Sequence, residues 1–249
     1  MKKQKKTGTK TTYWWFESLK KIMKIRYKEP KFVYLGEKVK PGSIILSNHE
    51  GTDAPMSLEI YSGIPLRMWG ASEMNSGLME LYDYQTEVYY HQKKHWSLFG
   101  ARAFCLLASP LTYMFYKGLD LISTYKDQRL VKTMRESINA IRNGESVVIY
   151  PEVSDKGYLA ELEGFHAGFV VLCEVCKRAG IDVPIYVSYF RKSDLTYVFD
   201  SPVLYSELSS HGETKEEIAD KLRLRCNELG KMNFSSEEEI PQEELTVET

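Results

Sequence analysis

The chain has 249 residues, 33 Lys and Arg against 34 Asp and Glu, a formal net charge of −1, and 43% hydrophobic residues. That composition excludes a disordered, collagen-like or disulfide-scaffold protein, and the length suits one large α/β domain or two small ones. Four unevenly spread cysteines (Cys105, Cys173, Cys176, Cys226) point to a reducing compartment.

The neutral total hides two opposite features. The first 40 residues carry 13 Lys and Arg against 3 Glu, while the last 15 carry 6 acids and no base. Lysines interrupt the stretch after MKKQKKTGTK, so no signal-peptide apolar region forms. Residues 13–28 read as an amphipathic helix with Trp15, Leu19, Ile22 and Met23 on one face. Its Trp14, Trp15 and Phe16 beside lysines suit an anionic headgroup region, the alternative being a helix packed on the domain. Glu29-Pro30 ends it. PKFVYLG is then a short strand, and SIILS, after the turn at Pro41-Gly42, is a buried one.

A helix from about 55 to 61 and strand LRMWG (66–70) follow. Helical patterning from about 75 dominates to Tyr116; its most apolar window, Leu98 to Phe115, contains Arg102 and Pro110, which argue against a membrane span. DLISTY (120–125) alternates like a strand, 127–143 is an amphipathic helix closed by Asn143-Gly144, and SVVIY (146–150) is a second buried strand. Helix 165–180, strand VPIYVSYF (183–190), a short strand at 197–199 and a helix near 213–230 complete the fold. Alternating strands and helices predict an α/β sheet covered on both sides. The organisation expected is a basic segment (1–40), an α/β domain (41–234) and an acidic tail (235–249) too poor in apolar groups to fold.

Two of the best strands end in polar clusters, Ser47-Asn48-His49-Glu50-Gly51-Thr52-Asp53 and Pro151-Glu152-Val153-Ser154-Asp155-Lys156-Gly157. Sites in open α/β sheets collect at the carboxyl ends of strands, so the clusters are neighbours if their strands are. A His with an Asp four residues on suits a base whose ring a carboxylate orients; a loop with Asp53 capping a helix is the plain alternative.

The order of these pieces resembles the glycerolipid acyltransferases of the lysophosphatidic acid acyltransferase type. Their blocks read N-H-x-x-x-x-D, an arginine block, F-P-E-G-T-R-S with a later Gly, and a last apolar block with Pro. The matching pieces here are NHEGTDA, GLDLISTYK (118–126), IYPEVSDKGYLAELEGFHAGF (149–169) and VPIYVSY (183–189). The family's Asp falls on Ala54, one residue after Asp53; its Arg falls at Thr124, Tyr125 or Lys126; and Val-Ser-Asp replaces Gly-Thr-Arg.

The resemblance implies a mixed sheet covered by helices. It implies that His49 deprotonates an acceptor hydroxyl, which attacks an acyl thioester on CoA or acyl carrier protein. Asp53 would orient the ring, and Glu152, Lys126, Asn48 and Gly157 would contact substrate. It further implies no metal, no cofactor beyond the thioester, a lipid acceptor at the inner face of a membrane, and no nucleic acid. The competing class is a lipid-binding protein of the same fold with a degenerate site.

Other signals are weaker. Glu87, His91 and His95 would share a helical face, as zinc ligands can, but lysines separate the histidines and no H-E-x-x-H occurs. Cys173 and Cys176 have C-x-x-C spacing mid-helix, where a core pair is the simpler reading. The absence of G-x-S-x-G, P-loop and G-x-G-x-x-G patterns removes the usual hydrolase, NTPase and dinucleotide fingerprints.

Overall fold

The computed structural model describes residue 10, residues 13–153 and residues 157–233. The acidic stretch 235–249, most of the lysine-rich start, and Ser154, Asp155 and Lys156 lie outside the described residues. The elements in chain order are α1 (Trp14–Met23), β1 (Lys31–Tyr34), β2 (Ile44–Leu46), α2 (Asp53–Tyr61) and β3 (Leu66–Ala71). A helical insertion follows: α3 (Glu73–Ser76), α4 (Leu78–Asp83), a π-helical stretch (Tyr84–Lys93) and α5 (Leu98–Leu119). Then come β4 (Ile122–Thr124), α6 (Leu130–Arg142), β5 (Ser146–Ile149), α7 (Gly168–Arg178), β6 (Pro184–Arg191), β7 (Thr196–Phe199), β8 (Val203–Leu204), α8 (Tyr205–Leu208) and α9 (Lys215–Lys231).

The strands form one mixed sheet in the order β1-β7-β6-β2-β5-β3-β4, with β8 beside β6. From β6 through β4 every pairing is parallel, and β7 runs antiparallel to β6. Continuous apolar runs mark β2 and β5 because both faces of the sheet are covered. Ile44, Leu46, Val147 and Ile149 pack on α6, α7 and α9. The alternate residues Ile45 and Val148 face the other way, onto α1 and α2.

Two segments depart from the sequence expectations, while helix α5 runs unbroken through Pro110, in line with the helical patterning to Tyr116. By length and composition it is the one helix among the described residues apolar enough to cross a membrane. The segment near Tyr84 is π-helical, closing with a bond from the Lys94 N–H to the Tyr89 carbonyl five residues back. The helix expected to start at 165 starts at Gly168, because Phe165 pairs with Glu152 in an extended bridge.

The amphipathic face of α1 turns inward. Phe16 is 2% exposed and belongs to the core, with Trp15, Leu19 and Met23 partly buried around it. It is therefore not available to insert into lipid beside Trp14, which is 82% exposed. Gly118 near the end of α5 makes this docking possible, since a Cβ there would lie 2.1 Å from the Phe16 ring. Gly118→Ala, a change that ordinarily favours a helix, is expected to destabilise the protein by about 1–3 kcal/mol through overpacking. Pairing it with Phe16→Leu should recover part of the loss in thermal or urea unfolding; additive losses would contradict the close packing.

Candidate active site

Strands β2 and β5 lie side by side, in parallel register from Ile44↔Val147 to Leu46↔Ile149. Their carboxyl ends therefore deliver Asn48-His49 and Pro151-Glu152 to the same edge of the sheet. Asn48 is buried and anchors the first cluster to the neighbouring strand β6. Its Nδ2 donates to the Phe190 carbonyl at 3.0 Å, and its Oδ1 accepts the Phe190 N–H at 2.7 Å. These bonds fix the backbone that carries His49.

After His49 the chain turns sharply, with Glu50 at φ 33° and Gly51 at φ 63° before α2 begins. A left-handed Glu is strained, and the strain is held where the chain switches from strand to helix. The His49 ring lies between two tyrosines. It stacks on Tyr158, with centroids 4.8 Å apart and an interplanar angle of 23°, and meets Tyr150 at 4.9 Å and 54°. The Tyr158 hydroxyl is pushed up to about 12, chiefly by burial, with Tyr89 and Tyr84 adding to the shift. Those two belong to the π-helical stretch, so the helical insertion borders the histidine. Tyr150 is pushed well above its ordinary value, again mainly by burial.

Asp53 is the first residue of α2, and its carboxylate faces two cations. Lys192 Nζ lies 2.6 Å from Oδ2, and Arg26 lies 3.7 Å from Oδ1. The helix cap is Thr52, whose hydroxyl accepts from Tyr27 at 3.1 Å. Ala54, at the position where the resemblance expects the acid, is buried in the core. Lys126 follows β4, three strands from β2, roughly 14 Å across the sheet at about 4.8 Å per step. It is exposed, beside an Asp127–Arg129 pair. Gly157 is exposed at φ 91°, immediately before Tyr158.

Glu152 is half-buried. Its Oε1 accepts the Leu159 N–H at 3.1 Å, and its Oε2 is buried. Burial raises the carboxyl above the ordinary Glu range; the Leu159 and His49 backbone N–H groups pull it back, and Glu50 pushes it further up. The site thus holds a histidine flanked by two tyrosine rings and a carboxyl that keeps its proton longer than usual.

Sequence reasoning did not single out Tyr150, Tyr158, Lys192 or Arg26. Lys192 had a usable signal, because it directly follows the third apolar strand and so shares the sheet edge with His49. The two tyrosines sit just before and just after the Pro-Glu cluster but carry no motif of their own.

The other candidates separate in space. A ring nitrogen of His91 meets the Trp96 carbonyl at 2.8 Å, Glu87 pairs with Arg102 at 3.1 Å, and His95 lies past the π-helical stretch at φ 57°. Among the described residues no three His, Cys, Asp or Glu cluster to hold a metal. Cys173 and Cys176 are buried in the core on α7, where burial pushes the Cys176 thiol up to about 11.

No protein-family model matches the sequence, and no curated protein matches it. Among solved structures, the chain is similar to the 1-acyl-sn-glycerophosphate (LPA) acyltransferase PlsC from Thermotoga maritima. The identity is 13%, covering 88% of this chain and 80% of that one, with a TM-score of 0.49. What the sheet order and the site define on their own is a mixed α/β protein with a histidine–glutamate cluster at the carboxyl edge of its central strands.

The Glu152 environment gives a pH test. A carboxyl whose folded pKa is raised binds its proton more tightly in the folded chain. Stability therefore falls as pH rises from the ordinary Glu range through the raised value. Glu152→Gln keeps an oxygen for the Leu159 N–H and cannot ionise. Its unfolding free energy relative to wild type is expected to rise between about pH 4 and about pH 7 in urea titrations. A difference that stays constant across that range would contradict the assignment.

Proposed function

We propose that the protein is an O-acyltransferase that moves an acyl group from an acyl thioester to a hydroxyl of a lysophospholipid or glycerophosphate-like acceptor at a membrane. The observation that supports this best is the parallel pairing of β2 with β5. It brings together His49 and Glu152, the two residues that match the acyltransferase blocks most closely, at one edge of the sheet.

In this reading the His49 imidazole takes the proton of the acceptor hydroxyl as its oxygen attacks the thioester carbonyl. The tetrahedral intermediate collapses by breaking the C–S bond, and the imidazolium returns its proton to the departing thiolate. Acyl ester and free thiol are the products, so no cofactor beyond the thioester (of CoA or acyl carrier protein) takes part. Glu152, with Gly157 beside it, contacts the acceptor, and its tendency to stay protonated allows it to donate as well as accept a hydrogen bond. Tyr150 and Tyr158 restrict water around the ring. Lys192 and Arg26 are the cations next to the His49 turn, and Lys126 lies further along the sheet edge as a point charge for a phosphate. The protein works on the cytoplasmic face of the membrane, with the exposed Lys21 of α1 and Lys24 just after it toward anionic lipid.

The second reading, a lipid-binding protein without catalysis, draws on one observation: Asp53 gives its carboxylate to Lys192 and Arg26. Activity distinguishes the two. With an acyl-CoA or acyl carrier protein donor and lysophosphatidic acid as acceptor, His49→Ala is expected to lower thioester-dependent acylation by about 10²–10⁴-fold with the fold retained. Asp53→Asn is expected to cost far less. No acylation by wild type, or an active His49→Ala, would favour the non-catalytic reading.

A further inference from the structure

The helical insertion leaves an uncovered apolar face. Among the described residues, nine of the seventeen exposed large hydrophobics fall between positions 78 and 114. On α5 they form one stripe at helical spacing: Phe99 (85% exposed), Leu106, Leu107 (83%), Leu111 and Met114, with Phe104 at its margin. The opposite face, with Ala101, Cys105, Ser109 and Leu119, is buried, and Ser109 donates to Gln85 of the π-helical stretch at 2.8 Å. A soluble monomer rarely exposes so continuous a patch.

Charge and length identify what covers it. Arg102 and Lys117 bracket 14 uncharged residues, 103–116. The whole helix has the length and composition to cross a membrane, but its uncharged run is only roughly 21 Å at about 1.5 Å per residue, and one of its faces is buried against the π-helical stretch, which suits a helix lying in a bilayer interface rather than crossing it. Trp96, half-exposed, and the exposed Lys94 stand at the amino end, the combination of ring and cation found at headgroup depth. At the carboxyl end α5 holds Phe16 against Gly118 and Phe115, and α1 brings exposed Trp14 and a lysine-bearing face to that end. The insertion follows the carboxyl end of β3, and its Tyr84 and Tyr89 act on Tyr158, the ring stacked on His49. Patch and site therefore belong to the same end of the sheet.

We propose that the outer stripe of α5 seats the protein on a phospholipid bilayer, parallel to its surface, so that the helical insertion presents the His49 edge to lipid. The inference rests on the acyltransfer reading only for the purpose of that surface; its binding is measured without any substrate.

The test is co-sedimentation of the full chain with vesicles of phosphatidylcholine, with and without phosphatidylglycerol. Wild type is expected to bind both and to keep part of its binding between about 0.1 M and 1 M salt, where screening removes the ionic share. Leu107→Asp/Leu111→Asp alters exposed positions and is expected to weaken partition by about a hundredfold with an unchanged circular dichroism spectrum. Should that variant fail to fold, Trp14→Phe/Trp15→Phe leaves Trp96 as the exposed indole, and brominated lipids are expected to quench it. Absence of wild-type binding, equal binding by a folded double variant, or no quenching would overturn the proposal. So would vesicle-free self-association of wild type that the double variant loses, which assigns the face to a second copy. Vesicle binding without acylation would leave this inference standing and remove the enzyme reading.

Discussion

The parallel pairing of β2 with β5 is the constraint on which the rest depends. Each strand is short and apolar on both faces, and neither is stable without the layers above and below it. Because the strands run in the same direction, everything that follows them emerges at one edge. Because the helices after them, α2 and α7, go to opposite faces, the two polar clusters meet across a gap instead of being buried under one helix. The Asn48 clamp on Phe190 carries the arrangement one strand further, tying the His49 turn to β6. Removing that amide would leave a buried N–H and a buried carbonyl without their partner, at roughly 1–3 kcal/mol each.

This rigid edge contrasts with the helical insertion. The insertion packs on itself through the π-helical stretch and α5, and it reaches the site through tyrosines rather than through the sheet. Its outer surface carries nine of the seventeen exposed large hydrophobics among the described residues. Under the proposed function, a rigid base at the strand ends with an apolar helical unit beside it would divide the labour between chemistry and contact with a lipid acceptor. In that view Tyr158 is where the two parts meet, since its ring stacks on His49 while Tyr84 and Tyr89 influence its hydroxyl.

Much of this was legible in the sequence. The apolar runs SIIL and SVVI read as buried strands, and the rule that sites gather at strand ends makes His49 and Glu152 neighbours on condition that those strands pair, as β2 and β5 do. The order of acyltransferase-like blocks pointed the same way. What escaped was non-local or locally ambiguous. The role of Phe16 depended on Gly118, a hundred residues away, which turns the inner face of α1 into core. Lys192 and Arg26 became neighbours of Asp53 only through the sheet and the α1–β1 connection. β8 and α8 are too short to carry a period. Spacing alone left Asp53 a plausible partner for the His49 ring; its observed ion pairs depend on side chains that no local pattern locates.

The central claim is that the edge formed by β2 and β5 binds a thioester with its carbonyl at His49. The most direct measurement is a crystal structure of the protein with a non-hydrolysable acyl-thioester analogue. The account predicts the analogue carbonyl beside the His49 ring, between Tyr150 and Tyr158, with Glu152 on the acceptor side. An analogue bound elsewhere, for example in the groove lined by Val203, Leu208, Leu224, Asp200 and Arg225, with the His49 edge vacant, would contradict it.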